Sequence, residues 1–100
     1  MNVYAAGLLP DGDTVYVPFQ DGLIAAYDRN WRLLRTIRVS QSVYRMRMDD
    51  KHFYALDQLQ EKYGGVIGIY DKKTGKRKDR IYLPDDRRML VQNFVLLDQR

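Results

Sequence analysis

The chain has 100 residues, of which 45% are hydrophobic and 30% charged, with a net charge of +4 and no cysteine. This length allows one domain at most, the composition is ordinary for a globular chain, and the lack of cysteine excludes disulfides, thiolate metal sites and cysteine nucleophiles. No stretch is apolar for long enough to span a bilayer, and residues 1–10 lack the basic start and apolar core of a signal peptide, so the sequence predicts neither feature and leaves the compartment open.

Short apolar segments separated by turn residues predict an all-β chain. The predicted strands, in chain order, are 3–9, 13–19, 23–28, 33–39, 43–48, 52–56, 65–70, 77–83 and 90–97. The third is apolar without alternation, so both its faces should be covered. The fourth carries Arg35 and Arg38 on opposite faces, as expected of an outer, partly solvated strand. No segment shows the 3.6-residue period of a helix, and 58–62 would form a single helical turn at most.

The second half of the chain repeats the first. Residues 15–17 (Val-Tyr-Val) return as 53–55 (Phe-Tyr-Ala) after 38 residues. Residues 23–28 return as 66–71 after 43 residues, and both copies end in Tyr-Asp. A period of about 40 residues made of short strands is typical of propeller blades or a related β array. The predicted units are 1–42, 43–89 and 90–100, the last being the first strand of a further unit.

The strand and turn that end in Tyr-Asp carry a family resemblance. Ile24-Ala25-Ala26-Tyr27-Asp28 and Val66-Ile67-Gly68-Ile69-Tyr70-Asp71-Lys72-Lys73-Thr74-Gly75-Lys76 resemble the third strand and turn of NHL, YVTN and PQQ-type β-propeller repeats, and six-bladed propellers use a similar pattern. The resemblance covers nearly the whole chain. It implies an all-β fold with about two four-stranded antiparallel propeller-like blades plus one extra strand. Arg77-Lys78 stands where PQQ repeats carry tryptophan, so neither quinone nor any other cofactor is predicted.

Two blades are too few to close a propeller, which usually takes about four to eight. An open pair would expose apolar faces and strand edges. Three alternatives stay open: a fragment of a longer propeller, a subunit that identical copies complete (three chains giving six blades), or a small open meander with covered ends. The extra strand favours the first two, because it would begin a neighbouring blade. The predicted partners are therefore further blades, from a longer chain or from identical copies.

Tyr44, Arg45 and Arg47 are the predicted ligand-binding residues. They lie on the predicted inner strand 43–48, where the two arginines share one face. Inner strands line a propeller channel, and arginines there are costly unless they are hydrated or paired. They would either bind a small anionic ligand at the channel mouth or pair with Asp49 or Asp50. The sequence therefore favours a non-catalytic binding or interaction module.

A second candidate surface is basic. Residues 51–100 carry eleven Lys and Arg against seven acidic residues, whereas residues 1–50 are neutral. The predicted anion-surface contacts are Lys72, Lys73, Lys76, Arg77 and Lys78. Such a cluster can contact phosphates or anionic surfaces, and it can equally be a solvated hairpin tip. Nucleic acid is not a predicted partner.

Enzymatic function is the alternative. His52 is the only histidine, its counterpart in the first unit is a threonine, and Ser40 and Ser42 are the only serines, so a Ser-His-Asp site is not favoured. A resemblance to gluconolactonase-like propellers implies a metal-dependent lactonase-like or other hydrolytic enzyme, with Asn93 and Asp98 nearest the ion. The family's motif is not matched, so aspartates at strand ends are interpreted as turn residues and no metal site is predicted.

Overall fold

The computed structural model describes residues 5–57 and 63–84 and contains two four-stranded antiparallel sheets. The first sheet has the order β1-β2-β3-β4 and the second β5-β6-β7-β8. The strands are β1 (Leu9–Asp11), β2 (Thr14–Pro18), β3 (Leu23–Tyr27), β4 (Leu33–Arg38), β5 (Arg45–Met48), β6 (His52–Asp57), β7 (Tyr63–Asp71) and β8 (Arg77–Pro84). Within the described ranges, no helix has the length and apolar character to cross a membrane. The predictions of an all-β chain and of two four-stranded antiparallel units are confirmed.

The first strand is the main difference from the sequence prediction. The prediction places it at 3–9 and treats Pro10 and Asp11 as a turn, whereas β1 is Leu9–Asp11 and Asp11 pairs with Thr14. A proline is tolerated here because β1 is an edge strand, where the N–H that proline lacks is not needed for a hydrogen bond between strands. Ahead of β1, Ala5 makes only an isolated bridge to Phe19. The predicted extra strand 90–97 and the helical turn at 58–62 lie outside the described residues.

The third and fourth strands behave as predicted. Ile24, Ala25 and Ala26 of β3 are all buried, so both faces of this strand are covered. In β4, the outermost strand of the first sheet, only Ile37 is buried. An apolar strand therefore lies inside the sheet and a mixed, charged strand closes its edge, as the residue patterns require.

The two sheets pack face to face around one apolar core. The core takes Tyr16, Ile24, Ala26, Ile37 and Val39 from the first sheet and its following loop, and Val43, Met46, Phe53, Ala55 and Tyr70 from the second half. The rings of Tyr16 and Phe53 meet edge to face with their centroids 5.4 Å apart. Buried aromatic pairs of this geometry contribute beyond their area. The shared core joins the sheets into one packed unit.

The sheets contact each other through unlike faces. In β2, Tyr16 enters the core, whereas its neighbours on the strand point to the other side. In β6, the position equivalent to Tyr16 is Tyr54, and it is the flanking Phe53 and Ala55 that enter the core. The register supports this assignment, because Phe53 pairs with the core residue Tyr70 across β6 and β7. The second sheet therefore stacks on the first head to tail rather than by a two-fold relation.

Two glycines allow this close approach. A Cβ on Gly68 would lie 2.6 Å from Cε2 of Tyr70 and would collide with the side-chain oxygen of Gln41. That oxygen accepts a 2.7 Å hydrogen bond from the Tyr70 hydroxyl, and Nε2 of Gln41 donates to the carbonyl of Ala55 at 2.9 Å. Gly75 has φ of +78°, and a Cβ there would lie 2.7 Å from the carbonyl oxygen of Arg38. Side chains at either position would force the sheets apart.

Candidate functional site

Two open clefts contain most of the residues that the sequence singles out. The larger, which we call the basic cleft, has a volume of about 550 Å³ and is lined by cations from both sheets: Arg35, Lys51, Lys72, Lys73 and Lys78. The smaller, which we call the arginine groove, has a volume of about 360 Å³ and runs between residues 5–9 and the β5 residues Arg45, Met46 and Arg47. The first lies where turns of the two sheets meet, and the second follows the edge of the second sheet.

Lys72 forms the floor of the basic cleft. Its ammonium donates to Oδ2 of Asp11 at 2.6 Å and to the carbonyl oxygen of Asp49 at 3.1 Å. It also lies 5.1 Å from the ring centroid of Tyr16. The Lys72 side chain is only 7% exposed, whereas that of Asp11 is 50% exposed. The alternative of a solvated hairpin tip is therefore wrong for Lys72, which ties the second sheet to the first.

Arg35 projects from β4 over the turn that follows β7. Its Nη1 donates to the carbonyl oxygen of Lys73 at 2.9 Å and its Nη2 to that of Lys72 at 3.1 Å. Both acceptors are neutral, so the guanidinium is held in place without losing its net charge. This contact is a second tie between the sheets.

The other cations of the cleft keep their charge as well. Within the described part of the chain, ion pairs join Arg29 to Asp13 and Lys72 to Asp11, and Nδ1 of His52 lies 3.7 Å from Oδ1 of Asp49. None of these pairs involves Lys51, Lys73 or Lys78, and all three residues are exposed. The rim of the basic cleft is therefore positively charged, whereas its floor, the Lys72–Asp11 ion pair, has no net charge.

Aspartates at strand ends serve the turns, as the sequence predicts. Oδ1 of Asp71 accepts hydrogen bonds from the backbone N–H groups of Lys73 and Thr74 at 2.9 and 3.0 Å. The bond from the Thr74 N–H lowers the pKa of Asp71; burial opposes it, and the Lys73 bond reinforces it, so that the pKa lies below its ordinary value. Asp28 does the same after β3, accepting from the N–H groups of Asn30 and Arg32. Both Tyr-Asp pairs thus end their strands in a side-chain-capped turn.

Asp49 combines a turn role with a side-chain bond. Its Oδ1 accepts from the backbone N–H groups of Lys51 and His52, and its Oδ2 accepts from the Tyr54 hydroxyl at 2.6 Å. Burial acts to raise the pKa of Asp49, but the bonds from Tyr54 and the two N–H groups outweigh it and lower that pKa. The same hydroxyl–carboxylate bond raises the pKa of Tyr54 to about 12. Asp49 is therefore an ionised structural acceptor.

Of the three predicted ligand-binding residues, Arg45 and Arg47 line the arginine groove, and Tyr44 does not line it but contacts Arg45. Arg45 pairs with Leu56 and Arg47 with Tyr54, so the two arginines share one face, as predicted, and that face points away from the core. The guanidinium of Arg45 lies 4.6 Å from the ring centroid of Tyr44, and its Nη1 donates to the Tyr44 carbonyl oxygen at 3.1 Å. β5 is an edge strand of its sheet, and the innermost strand of a propeller blade would also be an edge strand. An oxyanion in the groove would meet one stacked guanidinium and one half-buried guanidinium.

Sequence reasoning missed Arg35 and Lys51 as members of a site. Each is an isolated cation in its own strand or turn, and only the packing of the sheets brings it to the turn after β7. Conversely, Lys76 and Arg77 of the predicted basic cluster line neither cleft. Among the described residues no group of three or more His, Cys, Asp or Glu could hold a metal ion, and Asn93 and Asp98 lie outside that part of the chain.

Comparison with known proteins assigns no family to this arrangement. The chain matches no protein-family model and no curated protein. The resemblance of its Tyr-Asp segments to propeller repeats therefore stays a prediction from the sequence.

Proposed function

We propose that the chain is a non-catalytic binding or interaction module that forms two blades of a β-propeller-like array. Further blades, from a longer chain or from identical copies, complete the array. The observation that carries this proposal is the head-to-tail stacking of the two sheets. A contact between unlike faces leaves one face of each kind outside this contact, and a heterologous contact of this type repeats until a ring closes or a filament grows.

The two faces outside this contact match the two that already meet. On the outward face of the first sheet, Val15 pairs with Tyr27 and Val17 with Ala25. The equivalent positions in the second sheet are the ones that enter the core, among them Phe53 and Tyr70. The outward face of the second sheet carries Tyr54, Ile67 and Ile69, whose counterparts in the first sheet are the core residues Tyr16, Ile24 and Ala26. Another two-sheet unit could stack on either side by the same contact.

Exposed apolar side chains accompany these faces. Leu33 is 57% exposed and Ile81 is 46% exposed, and they lie on β4 and β8, the outermost strands. Leu33 pairs with Tyr27 and so belongs to the outward face of the first sheet. Burial of one such side chain contributes about 1.5–3 kcal/mol at most, which favours a neighbouring sheet over open water.

Within such an array, Tyr44, Arg45 and Arg47 would bind a small anionic ligand. The two arginines lie on an edge strand beside residues 5–9, and Tyr44 directly precedes this strand, so the groove opens where the first strands of neighbouring blades would converge. The guanidinium groups supply charge and directed donors for carboxylate or phosphate oxygens. Replacing both arginines with alanine should abolish the binding of an anion probe such as citrate while leaving the sheets intact.

The test of the assembly is the absolute mass of the full chain by light scattering after size exclusion. One chain has a mass of 11.8 kDa. A trimer or another closed multiple supports self-assembly, and a monomer that aggregates or binds a hydrophobic dye supports completion by a longer chain. A compact monomer that binds no dye overturns the proposal. Leu33→Lys, on the outward face of the first sheet, should weaken the assembly.

A further inference from the structure

We infer that the basic cleft between the two sheets is a binding site for the phosphate groups of a small polyanion. This site is distinct from the arginine groove. It is complete within one chain, so it does not depend on the assembly proposed above. The shape of the cleft, the positive charge of its rim and the fixed position of Arg35 support this site.

The cleft is a concave site built by both sheets. Its volume of about 550 Å³ falls in the range of about 300–1,000 Å³ that small-molecule sites occupy. The floor is the Lys72–Asp11 pair, in which the Lys72 side chain is almost fully buried. Charges around a concave surface reinforce one another, because the protein beneath them screens less than water does. The cleft therefore concentrates positive potential more than a convex hairpin tip would.

The rim has an excess of positive charge. Four cations, Arg35, Lys51, Lys73 and Lys78, face two carboxylates, Asp50 and Asp71. Asp71 keeps its charge and interacts with Lys78, so the carboxylates offset part of the positive charge. The rim consequently keeps a net positive charge that a polyanion can neutralise.

The guanidinium of Arg35 is held in position before any ligand binds, and the turn fixes the backbone of Lys73. Arg35 is fixed by the two carbonyl oxygens of the turn, and this contact leaves its charge intact. The backbone N–H of Lys73 is bound to Asp71, which sets the path of the turn and the origin of its side chain. A guanidinium beside ammonium groups is a common arrangement for phosphate recognition, since it combines directed donors with point charges.

The structure also divides the basic cluster of the sequence into two parts. Lys73 and Lys78 line the cleft, whereas Lys76 and Arg77, between them in the chain, do not. The cleft instead recruits Lys51 from the turn between β5 and β6. This division supplies a matched control, because a pair can be removed from each part with the same change in net charge.

The experiment is calorimetric titration of the full chain with inorganic pyrophosphate. The double variant Lys51→Gln/Lys73→Gln removes two rim cations, and Lys76→Gln/Arg77→Gln removes two cations outside the cleft. We expect the first to weaken pyrophosphate binding by about tenfold or more, and the second by no more than about twofold. All four residues are exposed, so both variants should fold, which circular dichroism verifies.

Three results would overturn the site. They are the absence of pyrophosphate binding to the unmodified chain, equal losses in the two double variants, and a loss confined to Arg45→Gln/Arg47→Gln, which would assign the anion to the arginine groove. Lys78→Gln, a single change in β8, provides an independent check, with an expected loss of about fivefold. An unchanged affinity in this variant would also count against the proposal.

Discussion

The two sheets have the same strand order, yet equivalent side chains in them do different work. Tyr16 of the first sheet is buried between the sheets, whereas Tyr54, its counterpart 38 residues later, lies outside the core. Asp11 accepts a hydrogen bond from the Lys72 ammonium, which belongs to the other sheet. Asp49, the counterpart of Asp11, accepts a hydrogen bond from the Tyr54 hydroxyl within its own sheet. Which face of a strand is buried therefore depends on its place in the stack. A strand that is apolar on one face and tyrosine-bearing on the other can serve in both places.

The largest expected effect comes from the tyrosines that end the third strand of each sheet. Tyr70 is fully buried, whereas Tyr27 is half-buried and stacks on Trp31 with centroids 5.8 Å apart. We expect Tyr70→Ala to lower the free energy of unfolding by about 3–5 kcal/mol, and Tyr27→Ala by about 1–2 kcal/mol. Urea denaturation followed by circular dichroism measures both. Equal losses would contradict stacking through unlike faces.

A conservative variant keeps that comparison measurable if Tyr70→Ala fails to fold. Tyr70→Phe removes only the hydroxyl that donates to Gln41. We expect it to cost about 1 kcal/mol, the usual net value of such a hydrogen bond.

The next effect concerns the middle of the third strand. Gly68 faces Gln41 and Tyr70, and there is no room for a Cβ between them. The equivalent residue of the first sheet is Ala25, which already has a Cβ. Gly68→Ala should lower the free energy of unfolding by about 1–3 kcal/mol through overpacking. Ala25→Gly should cost only about 0.5–1 kcal/mol through added backbone freedom. Thermal or urea unfolding tests the order, and a stabilising effect of Gly68→Ala would show that the sheets are not so closely packed.

A smaller effect is expected from the ion pair that joins the sheets. Lys72→Met keeps most of the buried stem but removes the bonds to Asp11 and Asp49, at a cost of about 1–2 kcal/mol because Asp11 remains half-hydrated. The control is Arg29→Met, which breaks the pair of Arg29 with Asp13 inside the first sheet, where both side chains are about 80% exposed. That change should cost less than about 0.5 kcal/mol and vanish in high salt. Similar costs for both would contradict the role of Lys72 as a tie.

The smallest effect is a pH dependence that arises from Asp49 and Tyr54. Because hydrogen bonds lower the pKa of Asp49 in the folded chain, its ionised form stabilises the fold above the ordinary carboxyl pKa, and this contribution disappears as the pH falls through the folded value. The pKa of Tyr54 is raised to about 12, so its contribution is complete below its ordinary value and disappears as the pH rises through 12. Both groups belong to one hydrogen bond.

Tyr54→Phe tests this bond. It should reduce the loss of unfolding free energy between about pH 7 and pH 2 by about 0.5 kcal/mol, a value kept small because Asp49 is 40% exposed. Tyr16→Phe, at the equivalent position of the first sheet, should leave the acid dependence unchanged. An identical pH profile for the unmodified chain and Tyr54→Phe would show that the Asp49–Tyr54 hydrogen bond does not contribute to the pH dependence of stability.

Much of the fold could be predicted because its signals are local. Apolar segments and turn residues predict seven of the eight observed strands to within two or three residues. The exception is β1, where Pro10 suggests a turn from the sequence, although proline is tolerated in an edge strand. The candidate sites divide in the same way: Arg45 and Arg47 are neighbours on one strand face, so alternation alone pairs them, whereas no local pattern connects Arg35 or Lys51 to Lys72.

The sequence by itself determined the strands and the turns that join them. Asp28 and Asp71 illustrate the reason, since each satisfies backbone N–H groups no more than four residues away, so the turns need nothing from elsewhere in the chain. Only the tertiary structure decided that Tyr16 is buried and Tyr54 is not, that Lys72 is a buried tie, and that cations from both sheets surround one cleft. Burial and electrostatic partners depend on what lies above a strand, and here that is the other sheet, tens of residues away in the chain.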